Sequence, residues 1–112
     1  MPPRDWRLRL DNIDEAIERI NAYVAEMTEA QFRADQRTID AVVRNFQNID
    51  EAAKHLPDDI TSAVPKFPWA EIRSMRNILV HRYFGVDVMI IWKAIQVDLP
   101  SLAAAIAALR KA

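Results

Sequence analysis

The side chains of this sequence best suited to chemistry fall within eight residues and include an arginine (Arg76), a histidine (His81) and a tyrosine (Tyr83). The guanidinium of Arg76 keeps its positive charge and presents a planar fork of donors that matches phosphate oxygens. An imidazole such as that of His81 is the side chain that ordinarily accepts or donates a proton near neutral pH. Together these residue types predict phosphodiester chemistry that needs no metal ion.

The spacing of Arg76 and His81 makes a geometric demand on such a site. In a regular α-helix, residues five apart differ by about 140° around the axis. The two side chains therefore converge on one phosphate only if the helix breaks before His81 or if a two-fold partner supplies the second residue. A purely structural interpretation is also open, with Arg76 solvated, His81 satisfied at a helix end and Tyr83 in the core.

Length and composition indicate one domain, residues 1–112, of a protein expected in the cytoplasm. The sequence has no cysteine, which excludes disulfides and thiolate metal sites, and a single glycine, which disfavours glycine-rich phosphate loops. We expect no signal region, no apolar run of membrane-spanning length, no membrane association and no cofactor. The net charge of −1 excludes a general coat for polyanions, although the stretch from Lys66 to Lys93 carries +3.

Apolar residues recur at steps of three and four, which predicts an all-α protein, an antiparallel bundle of four main helices plus short ones. One long helix should begin near Asp5, and a capping box at Thr28 should start a short second helix. Pro57 should end the third helix and open a loop over 57–67. The fourth should run from Pro68 to Gly85, with Asp87 capping a last helix that is kinked or restarted near Pro100.

Other polar residues have simpler explanations. His55 is predicted to be structural, because a cation is favoured at a helix C-terminus. A polar stripe on the third helix is typical of a solvated face but could also line a cleft with Arg76; it comprises Arg44, Asn48 and Glu51. Acidic residues without histidine or cysteine neighbours suit helix starts and loops better than a metal site; they are Asp11, Asp14, Glu15, Asp58 and Asp59.

Extended parts of the chain resemble the HepT-like branch of the HEPN superfamily, in order from residue 5 to residue 110. The segments that carry the resemblance are 41–46, 49–57, 68–87, 91–92 and 98–102. Its most specific element is the signature Arg-Asn-x-x-x-His-x-Tyr, which is Arg76, Asn77, His81 and Tyr83 here. One departure is Asp50, where the family commonly has glycine; it puts substrate affinity, rather than the fold, in doubt.

The resemblance implies a homodimeric ribonuclease, the toxin of a toxin–antitoxin pair. Its partners would be an RNA substrate and a minimal nucleotidyltransferase antitoxin, possibly in a larger complex. Arg76 and His81 would be catalytic, and Tyr83 would be the residue that the antitoxin modifies with AMP. Asn77, Arg44 and Glu51 would support the site. Two other interpretations stay open: a non-catalytic accessory module that binds a nucleotidyltransferase, and a structural helical dimer without a site.

Overall fold

The computed structural model describes residues 4–65, 67, 69 and 88–111, and all regular structure in these ranges is helical. The all-α prediction is therefore confirmed. Apart from Trp69, the predicted helix from Pro68 to Gly85 lies outside the described residues, and so does the predicted cap at Asp87. The helices are α1 (Arg4–Val24), α2 (Glu29–Ala34), α3 (Gln36–Lys54), α4 (Asp58–Thr61), α5 (Val88–Lys93) and α6 (Leu99–Lys111), with a π-helical turn (Ala94–Asp98) between the last two.

The core is built on the pairing of α1 with α3, with α6 packed against α1 as well. The apolar stripes predicted from sequence are the buried faces of these helices. Fully or almost fully buried side chains include Leu10, Ile13, Ile20, Ile39, Val42, Phe46, Ile49, Leu102, Ile106 and Leu109. Each such side chain stabilises the fold by about 1.5–3 kcal/mol relative to an exposed position, so the three helices hold one another in place.

Local capping fixes where α2 begins. The Thr28 hydroxyl accepts a hydrogen bond from the Gln31 backbone N–H (3.2 Å), and the Gln31 side chain accepts one from the Thr28 backbone N–H (2.9 Å). This is the predicted capping box, which satisfies two donors that a helix start leaves open. It orients α2 so that Phe32 is buried, with its ring 5.2 Å from that of Trp92 on α5.

Asp35 caps α3, whose nineteen residues end at Lys54. Its carboxylate accepts hydrogen bonds from the Thr38 backbone N–H (3.1 Å) and the Thr38 hydroxyl (2.8 Å). These bonds favour the ionised form and lower the pKa of Asp35 below its ordinary value. His55 is the residue at the C-terminal cap, and Leu56 beyond it is still buried, just before Pro57.

The predicted loop over 57–67 was partly wrong, because its first residues form the short helix α4. Pro57 stands at the N-cap in an extended conformation, and Asp58 and Asp59 occupy the first turn. Carboxylates are stabilised at a helix N-terminus by the partial positive charge of its free N–H groups. A single turn of helix carries too little apolar periodicity to be recognised in sequence.

The kink expected near Pro100 appears as the π-helical turn that precedes it. The Leu99 backbone N–H donates to the Ala94 carbonyl, five residues back, instead of to the residue four back. Proline has no N–H to donate and its ring crowds the carbonyl four residues earlier, so the wider turn lets the helix continue through Pro100.

The stretch Val88–Lys111 is long and apolar enough, by length and composition alone, to cross a membrane, with a mean hydropathy of 1.4 in its best window. The expectation of no such run was therefore too strict. The same stretch contributes Ile95, Leu99, Leu102 and Ile106 to the protein core. That one-sided burial is typical of a core helix.

An ion-pair clasp joins α1 to the end of α6. The Arg110 guanidinium donates to Asp11 (2.7 Å) and to Asp14 (2.7 and 3.2 Å). These bonds, the Asp14 bond foremost, raise the pKa of Arg110 above its ordinary value. Two of the acidic residues noted in the sequence are thus partners of an arginine nearly one hundred residues away.

Candidate functional site

The residues of the chemical motif are Arg76, Asn77, His81 and Tyr83, and all four lie outside the described residues. Their roles and mutual geometry stay predictions. The structure describes instead the residues on either side of the stretch 70–87, namely Trp69 and the start of α5 at Val88. It also describes the α3 residues that the sequence assigned to a supporting role.

The first of these ends is Trp69, which is half-buried and packed against the core. Its indole N–H donates to the Val64 carbonyl (3.0 Å), and its ring meets that of Phe67 edge-on with centroids 4.6 Å apart. On the far side, α5 begins at Val88, also packed against the core, and Ile91 is buried one turn later. The described residues that flank the motif, Trp69 before it and Val88 after it, are therefore both packed against the core.

Glu51 is one of the predicted supporting residues, and its side chain is 66% exposed on α3. Its carboxylate lies 3.4 Å from the His55 imidazole and 3.9 Å from the Lys54 ammonium. His55 is itself exposed at the end of α3. Because Glu51 is exposed to water and lies beside the Lys54 ammonium, its carboxylate can accept a hydrogen bond from a ligand at little desolvation cost.

Arg44, the other supporting residue on α3, is exposed and lies two turns before Glu51. Residues seven apart share a helix face, so the predicted polar stripe of Arg44, Asn48 and Glu51 is present. No hydrogen bond or ion pair among the described residues joins Arg44 to Glu51. Arg44 and Glu51 therefore lie on the same side of α3 but do not form an ion pair with each other.

The stripe borders a groove of about 280 Å³ between α1 and α3. Asn48, Glu51 and Ala52 line it from α3, and Arg9, Asn12, Glu15 and Arg19 line it from α1. Its two arginines are balanced by two glutamates, and Arg19 is already paired with Glu15. A wider depression of about 730 Å³ near the start of α3 contains none of the predicted site residues.

Asp50, the departure from the family pattern, has a different environment from its neighbour Glu51. Successive helix residues differ by about 100° around the axis, and Asp50 is only 6% exposed. Its carboxylate lies 3.4 Å from the Lys54 ammonium, which is also near Glu51. Lys54 therefore offsets part of the additional negative charge.

Asn45 is a polar core residue that sequence reasoning missed. It is 4% exposed, its amide donates to the Ala41 carbonyl (2.9 Å), and its side-chain oxygen is buried without a hydrogen-bond partner among the described residues. Buried oxygens of this kind are uncommon and cost about 1–3 kcal/mol. The available signal was its position between Val42 and Ile49, where the apolar stripe of α3 should continue.

Comparison with known proteins places the chain among ribonucleases. The family model described as "Ribonuclease HepT-like" matches residues 13–109. A Thermococcus cleftensis protein described as "Probable ribonuclease HepT" is 42% identical over 102 residues, which cover 91% of this chain and 93% of that protein.

Two proteins of Methanocaldococcus jannaschii are also similar. One, described as a "Putative RNase", is 36% identical over 101 residues, which cover 90% of this chain and 84% of that protein. The other, described as a "Gamma-glutamylcyclotransferase and putative RNase", is 37% identical over 99 residues, which cover 88% of this chain but 45% of that protein. No solved structure matches the chain.

Proposed function

Because the chain belongs to the HepT-like ribonuclease family, we propose that it is an endoribonuclease toxin that cleaves RNA without a metal ion. The observation that carries this proposal is the near full-length similarity to a protein described as a "Probable ribonuclease HepT", 42% identity over 102 residues. The motif of Arg76, His81 and Tyr83 supplies side chains suited to that chemistry.

The reaction follows from these residue types. His81 takes the proton of the RNA 2′-hydroxyl, and the 2′-oxygen attacks the adjacent phosphorus. The bond from phosphorus to the 5′-oxygen then breaks, the 5′-oxygen acquires a proton, and a 2′,3′-cyclic phosphate remains. Arg76 stabilises the charge that builds on the phosphoryl oxygens, as a fixed donor fork does best.

We further propose that the active form is a homodimer with the motif at the cleft between copies. Arg76 and His81 are about 140° apart on one regular helix, so a second copy eases their convergence on one phosphate. It also supplies a second imidazole, so that one His81 can act as base and the other as acid. Asn77, Arg44 and Glu51 would line the approach to this cleft.

The test is incubation of the purified protein with total RNA in EDTA, followed by analysis of the new ends. We expect cleavage that persists in EDTA and leaves 2′,3′-cyclic phosphate ends. Cleavage that requires a divalent ion and leaves 3′-hydroxyl ends would contradict the mechanism. A folded protein that lacks AMP by mass and cleaves no RNA would contradict the ribonuclease function.

Control by a nucleotidyltransferase antitoxin in the cytoplasm is the second part of the proposal. The antitoxin would transfer AMP from ATP to the Tyr83 hydroxyl and release pyrophosphate. The phosphodiester formed on Tyr83 carries a negative charge, and residues seven apart share a helix face. The modified tyrosine would therefore compete with RNA for the Arg76 guanidinium.

Replacing Tyr83 with phenylalanine removes the acceptor oxygen and little else. We expect cells that express the Tyr83→Phe protein together with the antitoxin to stop growing, whereas the wild-type pair grows normally. Growth curves and intact-protein mass measure the two effects. As a control, Tyr23→Phe alters the other tyrosine, which is exposed on α1, and should be neutralised like the wild type. Full neutralisation of Tyr83→Phe would contradict covalent control.

A non-catalytic module that binds a nucleotidyltransferase is the alternative function. The observation that favours it is the charge balance: the net charge is −1, and the groove beside Glu51 holds as many carboxylates as guanidiniums. A protein partner suits such a surface better than bulk RNA does. This alternative predicts nucleotidyltransferase binding that is unaffected by loss of Arg76 or His81.

A further inference from the structure

The groove between α1 and α3 is lined by polar side chains whose hydrogen-bonding groups are available to a ligand. Among the residues that the structure describes, the side chains of Arg9, Asn12 and Asn48 make no hydrogen bond or ion pair. Arg9 and Asn48 are also half-buried, so they are partly withdrawn from solvent. A few such polar groups in a concave site are what fixes the orientation of a bound molecule.

The charges of the groove decide which class of ligand it suits. Arg19 is occupied by its ion pair with Glu15 on the same helix. Glu51 lies 3.9 Å from the Lys54 ammonium, again on its own helix. In the described part of the chain, Arg9 is thus the guanidinium of the groove that has no carboxylate partner. One available cation cannot follow a run of phosphates, but it can hold a single phosphate.

The remaining groups are of the kinds that read the edges of nucleic-acid bases. An asparagine amide pairs with adenine through two hydrogen bonds, and a glutamate accepts one from the amino group of cytosine. Asn48 and Glu51 are three residues apart on α3, so they are neighbours on that helix. Arg9 and Asn12 are related in the same way on α1. The groove therefore combines base-edge groups on one wall with a free cation on the other.

We propose that this groove holds one unpaired nucleotide of the RNA substrate and selects adenine or cytosine over uracil. The Asn48 amide and the Glu51 carboxylate bind the base edge, and Arg9 donates to the phosphate of the same nucleotide. Uracil has a carbonyl oxygen where cytosine has its amino group, and the Glu51 carboxylate repels that oxygen. The proposal rests on the ribonuclease function, because it assigns a contact of that enzyme's substrate.

The size of the groove fits this occupant. Pockets for small ligands range from about 300 to 1,000 Å³, and this one, at about 280 Å³, has room for one nucleotide but not for a duplex. Bases of RNA can be read along their edges where the strand is unpaired. Ala52, which is small and nearly buried, lines the groove next to Glu51, so a flat base can approach α3 closely.

The test is the binding of fluorescent 2′-O-methyl hexamers of A, C and U, which have no free 2′-hydroxyl to attack the phosphorus. We expect the wild-type protein to bind the A and C hexamers at least about fivefold more tightly than the U hexamer. Asn48→Ala should bring the three affinities within about twofold of one another, because it removes a base contact. Arg9→Gln should weaken all three by a similar factor, since a phosphate contact carries no sequence information.

Glu51→Gln provides a gain of binding that a folding defect cannot imitate. The glutamine amide can donate to the uracil oxygen that the glutamate repels, so this variant should bind the U hexamer more tightly than the wild type does. The matched controls are Asn21→Ala and Arg7→Gln, at exposed positions of α1 that do not line the groove. Both should keep the wild-type order of the three hexamers.

Cleavage of total RNA in EDTA, measured on the same samples, separates this proposal from the ribonuclease function. Equal affinities for the three hexamers in a protein that cleaves RNA would overturn the nucleotide site alone. Selective binding by a protein that cleaves no RNA would support the site and contradict the function. A preference for A and C that persists in Asn48→Ala would overturn the site. Nucleotidyltransferase binding that is lost in Arg9→Gln, with no hexamer bound, would assign the groove to a protein partner instead.

Discussion

Replacing His81 with alanine is expected to lower RNA cleavage in EDTA by about two to four orders of magnitude, the usual contribution of a positioned acid or base. An arginine guanidinium and a tyrosine phenol ordinarily keep their protons at neutral pH, which leaves His81 as the motif side chain best suited to proton transfer. The measurement is the initial rate of cleavage of a labelled RNA, with helical content checked by circular dichroism.

The matched control is the only other histidine. His55 is exposed at the end of α3 and pairs with Glu51 across 3.4 Å, so His55→Ala should retain cleavage within a few-fold of the wild type. A His81→Ala protein that is folded and fully active would remove His81 from the mechanism. Loss of activity in both variants would indicate that the exposed end of α3, where His55 lies, also contributes to cleavage.

Replacing Phe32 with alanine is expected to lower the free energy of unfolding by about 3–5 kcal/mol. The side chain is fully buried, and its ring contacts Trp92, so it ties α2 to α5. Domains of this size are stable by about 5–15 kcal/mol, so a loss of this order leaves the protein marginal. Urea unfolding followed by circular dichroism measures it.

Tyr23→Ala is the control for loss of an aromatic side chain at a surface. Tyr23 is 42% exposed on α1, and substitutions at such positions usually change stability by no more than about 0.5 kcal/mol. Similar losses in the two variants would show that Phe32 does not anchor α2. An unchanged midpoint for Phe32→Ala would contradict the packing described between α2 and α5.

The fold was largely predictable because its signals are local or periodic. The bonds between Thr28 and Gln31 span three residues, and the stripes of α1, α3 and α6 repeat at the helical period, so both are visible in sequence. Pro100 predicted an irregularity in the helix. It did not predict a π turn, in which the backbone N–H donates to the carbonyl five residues back instead of four. The π turn sets the angle of α6 relative to α5, so that Ile91 before the turn and Leu99 after it are both buried.

The site was less predictable where burial decides the role of a residue. Asp50 and Glu51 are adjacent acids in sequence, yet one is buried beside Lys54 and the other is exposed beside His55. Helical angle separates them, and only the position of the neighbouring helices says which side is inside. Asn45 was missed for the same reason, because its burial is a property of the packed bundle.

The Arg110 clasp has a consequence for the order in which contacts can form while the chain is being translated. Residues 25–98 separate α1 from α6, and at about 5–20 residues per second their synthesis takes roughly 4–15 seconds. During that interval α1 can pair with α3, but Asp11 and Asp14 cannot form their ion pairs because Arg110 has not yet been synthesised. The contacts between α1 and α6, including the Arg110 clasp, can therefore form only after α6 has been synthesised.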